Sequence, residues 1–274
     1  MSSERPHLFD FRAAGAARLR AARIGGDRFL DVAGLDGIVH RLQSVTRRFG
    51  RGLWVGGNVP NGIRAFAQEW AGADFDDQEF LKAEGPFDLA VSLFSLQAIN
   101  DLPGAMIQIH RLLKPDGLFL AVLFGGATLN ELRQSFVAAE SEIWGGASPR
   151  VAPFADVRDM GALLQRAGFA LPVADVERLV VRYSSLSGLV RDLRAHGQSN
   201  TLAKRRKNFI GRRTLESLNA HYAANHAQDG KLVATFEMLF LTGWSPHESQ
   251  QQPLQPGSAK ARLSDALGTV ERKA

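Results

Sequence analysis

Residues 87–124 read FDLAVSLFSLQAINDLPGAMIQIHRLLKPDGLFLAVLF, a segment in which two apolar runs flank a stretch with helical spacing. The runs, at 87–93 and 118–124, have the length of buried strands, and Asn100 or Asp101 is a suitable N-cap for the helix between them. Continuous apolar strands that alternate with helices are typical of a parallel sheet covered on both faces. This segment therefore predicts an α/β fold.

Similar patterns extend to both sides of this segment. Helical spacing covers residues 10–49 (with a break at Gly25-Gly26), 63–70, 128–144, 156–167 and 186–227. Strand-like runs cover residues 52–57, 176–183 and 231–242. We predict a doubly wound, mostly parallel sheet with this domain division: an N-terminal helical lead over 1–50, an α/β domain over 51–246 with a helical insertion at about 186–227, and an extended or mobile tail over 247–274.

The composition limits the class of protein. The 274 residues are 45% hydrophobic and 22% charged, which excludes a disordered chain. No apolar run approaches the ~20 residues that a membrane-spanning helix needs. The chain has no cysteine, so disulfides, thiolate metal sites and a cysteine nucleophile are excluded, and a reducing cytoplasm is expected. The net charge of +5 favours acidic partners without identifying nucleic acid.

A glycine turn follows the first predicted strand. Gly56, Gly57 and Asn58 stand between that strand and the predicted helix at 63–70. In a doubly wound sheet this is the usual place for a nucleotide-like ligand, because glycine allows close approach and the next helix presents backbone N–H groups. The alternative interpretation is a purely structural turn from strand to helix.

Several segments resemble class I S-adenosylmethionine (SAM)-dependent methyltransferases. Residues 87–104 resemble the fourth-strand region of that family, and 112–119 resemble the turn into its fifth strand. Three further segments resemble bacterial relatives of mitochondrial complex I assembly factor 5, which are also similar to the O-methyltransferase BioC. These segments are LFD at 8–10, SPRVAPFADVRD at 148–159 and TGWSPHESQQ at 242–251.

The resemblance implies a cofactor and roles for particular residues. It implies SAM as the cofactor, with Gly56, Gly57, Asn58 and Asp76 beside it. It places Gln97 and Asn100 beside the transferable methyl group or its acceptor, as the catalytic candidates. The alternative interpretations are a helix N-cap for Asn100 and a solvated loop carboxylate for Asp76.

The same resemblance suggests residues that contact a substrate or partner. Arg150 and Arg158 belong to a segment that would line the substrate side, or would form a structural ion-pair network. Trp244 and His247 follow the last strand and are expected to return toward the crevice, unless they only end an edge strand.

The chain also departs from the family pattern. Trp54 stands where the family has an acidic residue, and Pro60 removes a backbone donor from the loop. The chain between Gly57 and Phe87 is too short for the elements that the family places there, since one βαβ unit takes about 30 residues or more. We therefore expect a fold shortened by about one βαβ unit, without the second strand and the ribose-binding acid at its end.

Three functions follow from the resemblance. The first is a SAM-dependent methyltransferase with an eroded cofactor site and an unknown methyl acceptor. The second is a non-catalytic assembly factor that binds a subunit of respiratory complex I in a bacterial cytoplasm. The third and weakest is arginine hydroxylation. The histidines lack metal-ligand spacing, so no metal site is expected, and the basic residues at 204–207 and 212–213 fit a solvated helix face or an acidic protein partner better than nucleic acid.

Overall fold

The computed structural model describes residues 7–251. The helices are α1 (Phe11–Ile24), α2 (Phe29–Gln43), α3 (Leu102–Arg111), α4 (Asn130–Trp144), α5 (Val157–Arg166), α6 (Leu186–Ala195) and α7 (Arg212–His226). The strands are β1 (Phe49–Val55), β2 (Ala67–Ala73), β3 (Phe87–Leu93), β4 (Leu113–Phe124), β5 (Ala170–Tyr183), β6 (Ala227–Gln228) and β7 (Lys231–Trp244). Short 3₁₀ turns cover Asn61–Phe66 and Leu96–Ala98.

The strands form one seven-stranded sheet in the order β2-β1-β3-β4-β7-β5, with β6 paired to β7. Strands β1 to β4 are parallel, and β7 runs antiparallel to β4, β5 and β6. The predicted α/β class with a mostly parallel sheet is confirmed. Because β1 to β4 are parallel, their last residues meet at one edge of the sheet, called the carboxyl edge below.

Helices cover both faces of the sheet, which is why its central strands are mostly apolar and buried. On one face, Ile38 and Leu42 of α2 pack in the same core cluster as Trp54 of β1. On the other face, α3 and α5 share a core cluster with Leu53 and Val55. Neighbouring β1 side chains therefore point to opposite faces, as pleating requires.

The predicted helix over 63–70 is wrong. Residues Asn61–Phe66 form a single 3₁₀ turn, and β2 follows at once, paired in parallel with β1. The connection holds no α-helix because the chain enters β2 directly, and pairing with β1 satisfies the β2 backbone in place of helical hydrogen bonds. Within the described residues 74–86 no helix connects β2 to β3, so the expected shortening of the fold is present.

The insertion is only partly helical. Helices α6 and α7 are separated by a non-helical segment over 196–211, whose second residue, Gly197, has a φ of +72°. This segment pairs with the N-terminal region, where the Asp10 N–H donates to the Thr201 carbonyl at 2.8 Å and the Ala203 N–H to the Leu8 carbonyl at 2.9 Å.

Parts of two other predictions fall beyond the described chain. Residues 1–6 of the predicted helical lead, and the predicted tail from residue 252 onward, lie outside the described residues. Among the residues that are described, no helix combines the length and the apolarity needed to cross a bilayer.

Candidate functional site

The glycine turn after β1 is held by contacts within the protein. Gly56 and Gly57 have φ angles of +117° and +79°, in the region that favours glycine. The Gly56 N–H donates to the Ala73 carbonyl at 2.9 Å, which ties the turn to the end of β2. The indole N–H of Trp54 donates to the Gly56 carbonyl at 3.0 Å. Trp54 is thus a buried donor where the family resemblance implies an acceptor.

Ser95 occupies the space above Gly56. A Cβ atom placed on Gly56 would lie 1.8 Å from Ser95 Oγ, whereas one placed on Gly57 would have nothing within 4 Å. The chain then continues through Pro60 into a 3₁₀ turn, so an α-helix N-terminus does not follow this loop. These residues do not fit the glycine cradle for the methionine part of SAM that the resemblance implies.

Asp76 closes its own loop. Its Oδ1 accepts hydrogen bonds from the N–H groups of Gln78 at 3.0 Å and Phe80 at 2.9 Å. The N–H of Phe80, with smaller contributions from Gln78 and the Lys82 ammonium, holds the pKa of Asp76 below its ordinary value. These contacts match the interpretation of Asp76 as a loop carboxylate.

The expectation that the second strand is missing is wrong. Strand β2 lies beside β1 and ends at Ala73, and the next residue, Asp74, is exposed with Oδ1 3.8 Å from Arg18 Nη1. Sequence reasoning missed this acid because it assigned the first four residues of β2 to a helix. The signal was the acid itself, directly after a short AGA run with small side chains.

Gln97 and Asn100 follow β3 but have different surroundings. Gln97 lines a cavity, where its Nε2 donates to Gln198 Oε1 at 2.6 Å and its Oε1 accepts from the Phe124 N–H at 3.3 Å. Asn100 Oδ1 accepts from the Phe9 N–H at 2.8 Å, and its Nδ2 donates to Glu79. Asn100 therefore binds the N-terminal segment at Phe9, and Asp101 is the N-cap of α3.

A cavity of about 640 Å³ lies at the carboxyl edge beyond β3 and β4. Its apolar lining consists of Phe9, Phe124, Leu129, Leu132, Phe136, Phe154, Val190, Leu193, Ile210 and Phe236. Its cover comes from α6 and from the segments around 150–154 and 198–210. Gly56, Gly57, Asn58 and Asp76 are not among its lining residues.

Arg150 lines the cavity, but a buried carboxylate holds its guanidinium. Arg150 Nε donates to Glu140 Oε1 at 2.7 Å, and Ser148 donates to Oε2 through its N–H at 2.6 Å and its hydroxyl at 2.7 Å. Burial alone would raise the pKa of the Glu140 carboxyl, but Ser148 and Arg150 outweigh it and lower this pKa. The charge of Arg150 is thus neutralised within the cavity wall.

Arg158 lies on the exposed side of α5, and its backbone N–H donates to Asp156 Oδ1 at 2.8 Å at the start of that helix. It is not part of the cavity lining. The two arginines of the SPRVAPFADVRD segment therefore lie in different places: one in the cavity wall and one on the surface.

A basic rim surrounds the cavity. It includes Arg20, Arg194 and Lys207, none of which forms an ion pair with another residue of the described chain. Arg205 also lines the cavity, but its Nη1 lies 3.0 Å from Asp10 Oδ2. An apolar interior with an unneutralised basic rim suits an apolar group that carries or adjoins negative charge. The sequence did not predict this rim, since its members come from α1, α6 and the insertion.

Trp244 and His247 lie at the other edge of the sheet. Because β7 is antiparallel to β4, Trp244 at the end of β7 pairs with Leu118, the first β4 residue that pairs with β7. His247 Nδ1 lies 2.7 Å from the Oγ atom of Ser249, two residues further along the chain. The expectation that this segment returns to the crevice is therefore wrong.

No group of three His, Cys, Asp or Glu side chains placed to hold a metal ion is found between residues 7 and 251.

Comparison with known families matches residues 6–172, more than half of the chain, to a model described as a methyltransferase domain. The chain belongs to this methyltransferase family. The predicted resemblance is confirmed, and it accounts for the parallel sheet and the glycine turn after β1. In this family member, the loop that follows the turn leads directly into β2.

Two groups of curated relatives share the family. The chain is 45% identical over 196 residues to the human arginine-hydroxylase NDUFAF5, mitochondrial, covering 71% of this chain and 56% of that protein. It is 37% identical over 194 residues to the malonyl-[acyl-carrier protein] O-methyltransferase of Laribacter hongkongensis, covering 71% of this chain and 63% of that protein. The chain thus spans little more than half the length of these relatives.

Solved structures share the fold at low sequence identity. The YcgJ protein of Bacillus subtilis superposes with a TM-score of 0.51 at 14% identity, covering 78% of this chain and 99% of that one. A candidate methyltransferase from Bacillus halodurans gives the same TM-score and identity, covering 76% of this chain. At this identity the similarity concerns the fold alone.

Proposed function

We propose that this methyltransferase-family protein has an eroded SAM site and acts as a bacterial, cytoplasmic assembly factor that binds a subunit of respiratory complex I. The observation that carries the proposal is the placement of Ser95 over Gly56, beside a large cavity that the glycine turn does not line. In this proposal Ser95 takes up part of the space that the family uses for the cofactor, while the cavity keeps space for a second molecule.

The cavity supports a protein partner of a particular chemistry. Its apolar interior suits a bulky side chain, and its basic rim of Arg20, Arg194 and Lys207 suits acidic residues next to that side chain. The identity to NDUFAF5, together with the resemblance to a complex I assembly factor, supports a respiratory subunit as the source of this segment.

A second candidate function is methyl transfer with SAM bound in an altered manner. Three features favour it: the open space at Gly57, the position of Asp74 directly after β2, and the placement of Gln97 in the cavity wall. Methyl transfer depends mainly on bringing donor and acceptor together in line, so a few positioned groups are sufficient.

Calorimetric titration with SAM and S-adenosylhomocysteine separates the two candidates. An eroded site predicts no saturable heat up to about millimolar ligand. A malonyl-acyl carrier protein O-methyltransferase measured in the same buffer serves as the positive control. Micromolar affinity of this chain for either ligand would replace the first candidate by the second.

Two tryptophan substitutions test whether the partner binds in the cavity, one inside the cavity and one outside it. Ala152→Trp fills the cavity from its lining, and Asn58→Trp adds the same side chain at the exposed glycine turn. Each variant is returned to a bacterium lacking the gene, and NADH dehydrogenase activity of its membranes is measured. We expect rescue by Asn58→Trp and failure by Ala152→Trp. Rescue by Ala152→Trp at normal protein levels would refute the cavity as the binding site.

A further inference from the structure

The segment between α6 and α7 exposes two adjacent apolar side chains. Residues 203–211 read AKRRKNFIG and are not helical. Phe209 is fully exposed and Ile210 is 37% exposed. Neither the methyl-transfer fold nor the proposed partner cavity requires a phenylalanine that contacts only solvent. Such an arrangement in a loop usually marks a surface that another phase or molecule covers.

Cations flank these two side chains in the sequence. Lys204, Arg206, Lys207 and Arg213 form no ion pair with another described residue of the chain. The two remaining arginines are paired, Arg205 with Asp10 and Arg212 with Glu216. The positive charge of the segment is therefore largely uncompensated.

A third aromatic side chain completes the surface. Trp144, at the end of α4, is 56% exposed, and the Arg206 guanidinium lies 5.0 Å from the centre of its ring. Trp144, Phe209 and Ile210 border one shallow cavity of about 300 Å³. We call this surface the basic aromatic patch; it comprises Trp144, Lys204, Arg206, Lys207, Phe209 and Ile210.

We infer that the basic aromatic patch docks the protein on an anionic phospholipid bilayer. Lysine and arginine near a negatively charged leaflet each add attraction, and exposed aromatic and aliphatic side chains enter the boundary between headgroups and acyl chains. Tryptophan favours the same interfacial depth. This inference goes beyond the proposed function and does not depend on it.

The composition of the patch favours a bilayer over nucleic acid. A single-stranded nucleic acid is bound by aromatic rings on which successive bases stack. Ile210 has no ring, and the ring of Trp144 already has Arg206 over it. An aliphatic side chain beside a phenylalanine is instead suited to hydrocarbon.

Docking through the patch would also orient the larger cavity. Three residues of the patch also line that cavity: Arg206, Lys207 and Ile210. The mouth of the cavity would then lie next to the bilayer surface, within reach of segments of a membrane-attached partner.

Sedimentation of the full chain with vesicles tests the inference. We expect binding to vesicles of phosphatidylcholine mixed with phosphatidylglycerol, no binding to phosphatidylcholine alone, and weakening with added salt. Phe209→Ala should weaken binding about tenfold or more, as expected for one phenylalanine withdrawn from hydrocarbon. Lys204→Glu combined with Lys207→Glu should weaken it at least ~25-fold, at about fivefold for each lysine lost.

Matched controls lie elsewhere on the surface. Phe80 is 58% exposed, so Phe80→Ala removes an exposed ring outside the patch. Arg48 and Arg111 are exposed near the beginnings of β1 and β4, and Arg48→Glu with Arg111→Glu makes the same charge change there. Both control variants should bind anionic vesicles within about threefold of the parent chain. All four variants alter exposed side chains, and thermal unfolding checks that each is folded.

Three results would overturn the inference. Equal binding to neutral and anionic vesicles would contradict the role of charge, and unchanged binding by Phe209→Ala would contradict insertion. A single-stranded oligonucleotide is titrated in parallel. Binding of the oligonucleotide that depends on Phe209, without binding of anionic vesicles, would assign the patch to nucleic acid.

Discussion

Two neighbouring parts of the carboxyl edge have diverged. After β1, the chain makes a tight glycine turn, Ser95 fills the space above it, and a 3₁₀ turn leads straight into β2. After β4, the chain enters α4, and α6 with the non-helical part of the insertion encloses about 640 Å³. At the first part Ser95 packs against Gly56, and at the second a cavity is present.

This difference shows that the two parts of the edge depend on different elements of the fold. The first depends on a helix after β1 and on connections around β2, and the chain has shortened both. The second is built from α4, α6 and the buried pair of Arg150 with Glu140. The proposed erosion of the first part therefore does not remove the elements that form the second.

The largest expected effect concerns the wall of the cavity. Arg150→Met would leave the fully buried carboxylate of Glu140 without its cation, which costs about 3–5 kcal/mol. Arg158→Met, in the same sequence segment but on the exposed side of α5, should change the free energy of unfolding by less than about 0.5 kcal/mol. Urea unfolding measures both. Similar losses in the two variants would show that Arg150 has no special structural role.

A smaller effect is expected at the glycine turn. Gly56→Ala adds a Cβ against Ser95 Oγ at a positive φ, with an expected cost of about 2–4 kcal/mol. Gly57→Ala has the positive φ but open space, so about 1 kcal/mol is expected. Ser95→Gly should recover most of the difference when combined with Gly56→Ala. Equal costs at the two glycines would indicate that the space above Gly56 is not filled.

Acidification should remove the stabilising contribution of Glu140 in the wall of the cavity. Since the pKa of Glu140 in the folded protein lies below its ordinary value of 4.5, its stabilising contribution is present above that pH and is lost as the pH falls below it. The stability difference between the parent chain and Arg150→Met, measured by urea unfolding at several pH values, should therefore shrink below pH 4.5. A constant difference down to acid pH would contradict an ionised Glu140.

The central sheet could be predicted from local patterns, but the region around β2 could not. The segment at 118–124 is apolar at every position and the one at 87–93 at all but Asp88 and Ser92, because helices cover both faces, and this signal is carried by the residues themselves. In 63–70 the apolar residues also recur at threes and fours, which predicts a helix. Pairing with β1 overrides that preference, and such pairing is not encoded in local spacing.

The candidate site was only partly predictable for a similar reason. The glycine turn and Gln97 follow strands, so their position at the carboxyl edge follows from the alternation of strands and helices. The filling of the turn by Ser95 joins two loops, and the basic rim joins α1, α6 and the insertion. The direction of β7, which places Trp244 at the far edge, is a property of the sheet and not of the segment.

The smallest expected effect concerns two single side chains, one at each of the two opposite edges of the sheet. Arg194→Ala removes one cation of the cavity rim, and His247→Ala removes a polar side chain beyond the opposite edge. A rim charge that meets an acidic partner contributes up to about 1 kcal/mol, so Arg194→Ala should weaken capture of complex I subunits by up to about fivefold, and more in dilute salt than in concentrated salt. His247→Ala should leave capture unchanged at either salt concentration. If His247→Ala weakened capture as much as Arg194→Ala, the partner would contact the edge opposite the carboxyl edge, and the open cavity would not be its binding site.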